Sequence, residues 1–208
     1  MKNIIIFGVS RAGKTSLAKR LKDEFQFNVV NVDHLVNTFG EVFPYMGISV
    51  EEDEMQAAVK FTPFIAHYLY ELASHTHHKT GSNFVADMTF FNFDTGIPFL
   101  EETMQKFRLK LKLLDEFLFI YLVNNKTSEE LFNDVRKYDV PGDWTYNLSD
   151  DELREHCRKH CDEHPKVDWE FYEKWKELGF RIYDTAEGRE RVFDKIVEDL
   201  KVFNGYGE

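Results

Sequence analysis

The segment GVSRAGKT, residues 8–15, constrains this chain more than any other stretch. It matches the pattern G-x-x-x-x-G-K-[ST] without a gap, at Gly8, Gly13, Lys14 and Thr15. The glycines let the backbone turn so that successive N–H groups face phosphate oxygens, and the helix that follows offers its positive N-terminal end to the same anion. Lys14 reaches the β and γ phosphates in such a loop, and the Thr15 hydroxyl holds magnesium. The bland alternative is a strand-to-helix turn that merely needs glycine. Context argues against it, because the apolar run Asn3 to Phe7 reads as a buried strand and Leu17, Ala18, Leu21 and Phe25 recur at helical spacing. The expected nucleotide-binding set is Gly8, Ser10, Arg11, Ala12, Gly13, Lys14, Thr15 and Ser16.

The 208 residues fit one α/β domain over 1–208, and 43% hydrophobic residues with 20 phenylalanines are enough for a substantial core. A net charge of −11, spread along the chain, disfavours a polyanion such as nucleic acid as the main partner. The N-terminal apolar run is too short for a signal-peptide core, and no stretch approaches the ~20 apolar residues of a membrane span. The two cysteines, Cys157 and Cys161, lie four apart on a segment that reads as helix, an awkward geometry for a disulfide. A soluble protein of the reducing cytoplasm, with no membrane partner, is the expectation.

Strand and helix signals alternate. Phe27 to Val32 reads as a second strand ending at Asp33, Asn83 to Ala86 as a third ending at Asp87, Phe117 to Val123 as a fourth and Phe180 to Tyr183 as a fifth. Helical patterning covers Met55 to Ala73, where Pro63 should kink or restart it, and also Phe99 to Leu114, Ser128 to Tyr138, Val167 to Leu178 and Glu190 to Phe203. Residues 34–82 read as a substrate-side helical insertion, ending in the polar loop His75 to Ser82. The alternation implies a doubly wound parallel sheet flanked by helices, with ligands at the carboxyl ends of its strands. Gly8, Asp33 and Asp87 fall at such ends.

A GTP-dependent switch would need Asp-x-x-Gly after the third strand and Asn-Lys-x-Asp later, but Asp87 is followed by MTF, and Asn125-Lys126-Thr127-Ser128 ends in serine. From Phe117 onward a buried strand, then LVNNKTSEELFNDVRKYD, a polar stretch and a short strand ending in YDTAEGRE follow in order. This order, with the phosphate loop, resembles the nucleoside and nucleotide kinases with a P-loop, an adenylate kinase-like family that also includes shikimate and gluconate kinases. The resemblance spans nearly the whole chain, and its one specific motif is the loop. It implies a five-stranded parallel sheet of order 2-3-1-4-5, a mobile lid over about 128–165 whose helix ends in Arg136, and an adenine border after the last strand, here Asp184 to Gly188, with Asp184 and Thr185 as its ATP-binding residues.

Phosphoryl transfer to a hydroxyl needs in-line positioning, charge neutralisation and a carboxylate to accept the proton. Asp33 resembles the strand-end Asp that serves as this base in nucleoside kinases; the alternative is that it caps the helix starting at His34. Asp87 would hold magnesium through water, or is a turn-forming Asp. Arg136 would stabilise the transferring phosphoryl group, with Lys137 or Arg154 as second donors. The arginines that nucleoside monophosphate kinases place after the second and third strands are missing from DHLVNTFGEVF and DMTFFNFD, so the acceptor reads as uncharged, with Phe90, Phe91 or Phe93 available to stack on a ring or to serve as core. The run HCRKHCDEH places His156, Cys157, His160, Cys161 and His164 at helical spacing; zinc is conceivable there, but its Cys-x-x-x-Cys spacing departs from the paired Cys-x-x-Cys of zinc-bearing lids, and a solvated helix with partly buried cysteines is the preferred reading. The expectation is an ATP- and magnesium-dependent kinase of a small metabolite or nucleoside, with Lys14, Asp33, Asp87 and Arg136 at its centre. Its alternatives are a nucleotide kinase clamping phosphate through Arg108 or Lys60, and a nucleotide-binding regulator or GTP-dependent switch.

Overall fold

The computed structural model describes residues 2–9, 11–46, 54–75, 83–88, 117–163, 173, 176 and 179–203. Strands β1 (Asn3–Gly8), β2 (Asn28–Asn31), β3 (Phe84–Asp87), β4 (Phe117–Val123) and β5 (Arg181–Asp184) form one sheet of order β2-β3-β1-β4-β5, with every neighbouring pair parallel. The described helices are α1 (Lys14–Phe25), α2 (Val32–Val42), α3 (Glu54–His75), α4 (Ser128–Tyr138), α5 (Asp150–Glu163) and α6 (Arg189–Phe203), with single 3-10 turns at Pro44–Met46 and Thr185–Glu187. The expected doubly wound sheet and its order are both present.

The strand sequences carry apolar residues at consecutive positions because both sheet faces are covered. Ile5, Phe7, Phe84, Ala86, Phe117 and Phe119 face Val32 and Val36 of α2 and Phe61, Ile65 and Leu69 of α3. Ile4, Ile6, Val85, Leu118, Ile120 and Leu122 face Leu17, Ala18 and Leu21 of α1 and Phe193, Ile196 and Leu200 of α6. Phenylalanines stack across the first face: Phe119 lies on Phe180 with centroids 4.6 Å apart and on Phe7 at 5.9 Å. A separate small core, Leu131, Phe132, Val135, Leu153 and Cys157, joins α4 to α5. Among the described residues no helix is long and apolar enough to cross a membrane.

Several boundaries shift from the sequence expectation. Helix α2 begins at Val32, so β2 ends at Asn31 and Asp33 lies in the first helical turn. The cap of α2 is Asn31, whose side chain accepts from the His34 N–H at 2.8 Å; Asp33 is not the cap. Pro63 sits inside α3 without dividing it, and the helix runs on to His75, where a loop was expected to begin. Thr127 opens α4 with a reciprocal capping box to Glu130. The expected helix at 99–114, the loop at 76–82 and most of 167–178 lie outside the described residues.

Candidate active site

The phosphate loop joins the end of β1 to α1 at the centre of the sheet. Gly8 has φ +145° and lies against β4, where an added Cβ would collide with the carbonyl oxygen of Leu122. Gly13 has φ +88° and caps α1 without a side-chain hydrogen bond, which leaves the first-turn amides open to an anion. Ser16 is exposed in that turn and Ala12 is buried under the loop. Ser10 lies outside the described residues.

Lys14 is buried and folds back along the loop, with Nζ donating to the carbonyls of Gly8 and Val9, both at 3.0 Å. Burial pushes its pKa from 10.5 down to about 8, and Arg11 works in the same direction, while Asp33 and Asp87 oppose the shift. A triphosphate beside Nζ favours the protonated form. Nucleotide affinity should therefore be full below pH 8 and fall by about tenfold per pH unit above it, until the pKa in the complex is reached. Calorimetric titration with ATP between pH 7 and pH 9.5 measures this. The sign for stability is the opposite one. Unfolded Lys14 keeps its proton up to about 10.5, so this residue makes the nucleotide-free protein more stable as pH rises between those two values.

Asp87 ends β3 beside the loop and is almost wholly buried. Thr15 Oγ1 donates to its Oδ2 at 2.6 Å and Asn31 Nδ2 to the same oxygen at 3.3 Å, while Oδ1 is buried with no hydrogen-bond partner among the described residues. Desolvation raises the Asp87 pKa and the charge of Asp33 raises it further, with Thr15 and Lys14 opposing. A buried carboxylate oxygen left without a partner, next to a threonine hydroxyl, is a donor pair that suits a hard, oxygen-seeking cation. Magnesium held there would neutralise charge on the β and γ phosphates. Asp33, in the first turn of α2, lies close enough to this cleft for its charge to act on both Lys14 and Asp87.

Around the outer side of the loop, side chains distant in sequence meet. Arg11 adopts φ +63°, a left-handed conformation that is rare outside glycine and asparagine. Its guanidinium donates to Thr145 Oγ1 at 2.9 Å, approaches Asp139 at 4.0 Å and lies 5.0 Å over the Trp144 ring. Its carbonyl accepts from Arg189 Nη2 at 3.2 Å, and Arg189 is itself fixed by Asp134 at 2.7 Å and stacked on Tyr138 at 4.2 Å. Sequence reasoning missed Asn31, Arg189 and the Arg11 side chain's partners; only Asn31 carried a local signal, that of a cap residue at a strand-to-helix turn.

Arg136 does lie in the last turn of α4 as expected, but its guanidinium is bound to groups of the 139–150 segment. It donates to Asp150 Oδ1 at 2.9 and 3.1 Å and to the Leu148 carbonyl at 2.7 Å, beside Asp139 at 3.7 Å. Arg154 pairs with Glu129 and lies 3.9 Å over the Phe132 ring, and Lys137 rests on Tyr138 at 4.9 Å. Asp184 accepts from the Asn125 side-chain amide at 2.8 Å and from the Ala186 N–H at 2.9 Å, and Thr185 Oγ1 donates to the Val123 carbonyl at 3.0 Å. These two side chains brace the loop that was expected to border adenine. Cys157 is buried in the α4–α5 core, where burial pushes its thiol up to about 11, and His156 packs edge-on against Trp144 at 4.7 Å. Phe90, Phe91, Phe93, Arg108 and His164 lie outside the described residues, as does the side chain of Lys60.

A parallel 2-3-1-4-5 sheet with a glycine-bounded Lys-Thr loop on its central strand and a carboxylate on the adjacent strand defines the P-loop fold of the kinase type. Solved structures of this fold that match the chain include the shikimate kinase of Bacteroides thetaiotaomicron, 16% identical, with a TM-score of 0.51 over 98% of both chains. The gluconokinase of Sinorhizobium meliloti 1021 is 14% identical, with a TM-score of 0.51 over 97% of this chain and 96% of that one. A sugar kinase of Janibacter sp. HTCC2649 is 13% identical, with a TM-score of 0.51 over 97% and 95%. Identities this low make the likeness one of fold. The Zeta toxin family profile matches residues 2–114, just over half of the chain, and the chain belongs to that family. The matched span contains Lys14, Thr15, Asp33 and Asp87, while Arg136 and Asp184 fall beyond it. No curated protein matches the sequence.

Proposed function

We propose that the chain is a phosphotransferase that moves the γ-phosphoryl group of magnesium-bound ATP onto a hydroxyl of a small, uncharged metabolite or nucleoside. The observation that carries this reading is the meeting of Lys14, Thr15 and Asp87 in one cleft with a second carboxylate, Asp33, that neither caps its helix nor shares the Thr15 bond. Binding a nucleotide needs the first three. A base for an acceptor hydroxyl needs the fourth. Lys14 would exchange its loop carbonyls for phosphate oxygens, Thr15 and Asp87 would hold the metal, and Asp33 would take the proton as the acceptor oxygen attacks phosphorus. Phe90 and Phe91 would stack on the acceptor, and Asp184 and Thr185 would hold the loop beside the adenine. Arg136 would serve the transferring group only after leaving Asp150, so the lid must rearrange in this reading. The two cysteines, free and four apart on one helix, accord with work in a reducing cytoplasm.

The test is ADP release by purified protein with ATP and magnesium against a panel of nucleosides, nucleoside monophosphates, sugars and sugar acids. Release that depends on one acceptor class supports the reading and names that class. Release that depends on a monophosphate would favour the nucleotide-kinase alternative. ATP binding with no acceptor-dependent release from any panel member would favour a nucleotide-binding regulator.

A further inference from the structure

Asn31 ends β2 directly opposite Asp87 in the β2–β3 register and also begins α2 as its cap. The orientation of its amide is settled by chemistry: the His34 backbone N–H can only donate, so the atom it meets at 2.8 Å is Oδ1. That leaves Nδ2 as the atom facing Asp87, where it donates to Oδ2 at 3.3 Å. Thr15 Oγ1 donates to the same oxygen from the other side, at 2.6 Å. With both donors spent on Oδ2, the carboxylate is held so that Oδ1 is the buried atom without a partner. One side chain thus ties together the two carboxylates of the cleft: its oxygen fixes the helical turn that carries Asp33, and its nitrogen fixes Asp87. A residue serving only as a cap would need the oxygen alone, and serine would do equally well.

We propose that Asn31 is a positioning residue for the divalent cation, orienting Asp87 through Nδ2 while setting the first turn of α2 through Oδ1. This rests on the nucleotide-and-magnesium reading of the cleft. Groups that orient a metal-holding carboxylate typically contribute about ten- to a hundredfold to metal affinity, and a single 3.3 Å bond belongs at the lower end.

Asn31→Ser and Asn31→Ala separate the two arms, because serine keeps the cap and removes the amide nitrogen, whereas alanine removes both. ATP binding is measured by calorimetry in EDTA and across a magnesium titration, with thermal melting alongside. Asn31→Ser should melt like wild type and bind ATP in EDTA with unchanged affinity, yet need about tenfold more magnesium for half-maximal enhancement of binding. Asn31→Ala should show the same magnesium defect together with a lower melting temperature. An Asn31→Ser protein with the wild-type magnesium requirement would reduce Asn31 to a helix cap and overturn the assignment. Wild-type protein that binds ATP no better in magnesium than in EDTA would overturn the reading of the cleft, and the assignment with it.

Discussion

Lys14→Met should make the nucleotide-free protein harder to melt while removing its response to ATP. The Lys14 ammonium is buried, and the drop of its pKa from 10.5 to about 8 corresponds to a cost of about 3 kcal/mol for keeping it charged at neutral pH. Methionine has similar bulk and no charge. It forfeits two hydrogen bonds to loop carbonyls, worth about 1 kcal/mol each, so the expected net gain in stability is about 1 kcal/mol. The triphosphate loses its one buried cationic partner in the loop, and affinity for ATP should fall by about a hundredfold. Thermal melting with and without magnesium-ATP reads both effects. A variant that melts below wild type and still rises with ATP would show that Lys14 serves the fold and not the ligand.

Asp33→Asn should leave ATP binding within about twofold of wild type and lower the turnover of the phosphoryl acceptor by about 10²- to 10⁴-fold, the range expected for loss of a general base. The substitution is nearly isosteric, and because Asn31 caps α2, the helix does not depend on Asp33 for its first hydrogen bond. A structural carboxylate would behave differently, with melting temperature and binding falling together. Steady-state kinetics on the acceptor found in the panel, paired with calorimetric ATP binding, distinguish these outcomes. Unchanged turnover in Asp33→Asn would remove Asp33 from the chemistry and return the base to another residue.

The phosphate loop was legible because everything it needs is contiguous: a buried strand, eight residues of fixed pattern and an amphipathic helix. Asp87 was legible for a similar reason, as a carboxylate closing an apolar run. The sheet order came from the family resemblance, and the alternation of strand and helix accords with it. What could not be read locally is what depends on distant partners. Arg189 lies 178 residues from the Arg11 carbonyl that it holds, and nothing in the segment GRE announces that contact. Arg136 was placed at the correct helix end, but its bonds to Asp150 and the Leu148 carbonyl follow from how the 139–150 segment folds back on α4. The end of β2 shifted by one residue, from Val32 to Asn31, because Val32 satisfies the pattern of a strand and also packs as the first helical residue against the sheet. That shift moved the cap from Asp33 to Asn31, so the first turn of α2 is closed by the Asn31 side chain and not by Asp33.

The most direct test of the account is phosphorus NMR of the protein mixed with ATP, magnesium and the acceptor class singled out by ADP release. If the chain transfers the γ-phosphoryl group, the γ-phosphate resonance of ATP declines while a phosphate-ester resonance, coupled to acceptor protons, rises in equal amount. Growth of inorganic phosphate alone, or an ATP spectrum unchanged beyond binding shifts, would contradict a phosphoryl transfer centred on Lys14, Asp33 and Asp87.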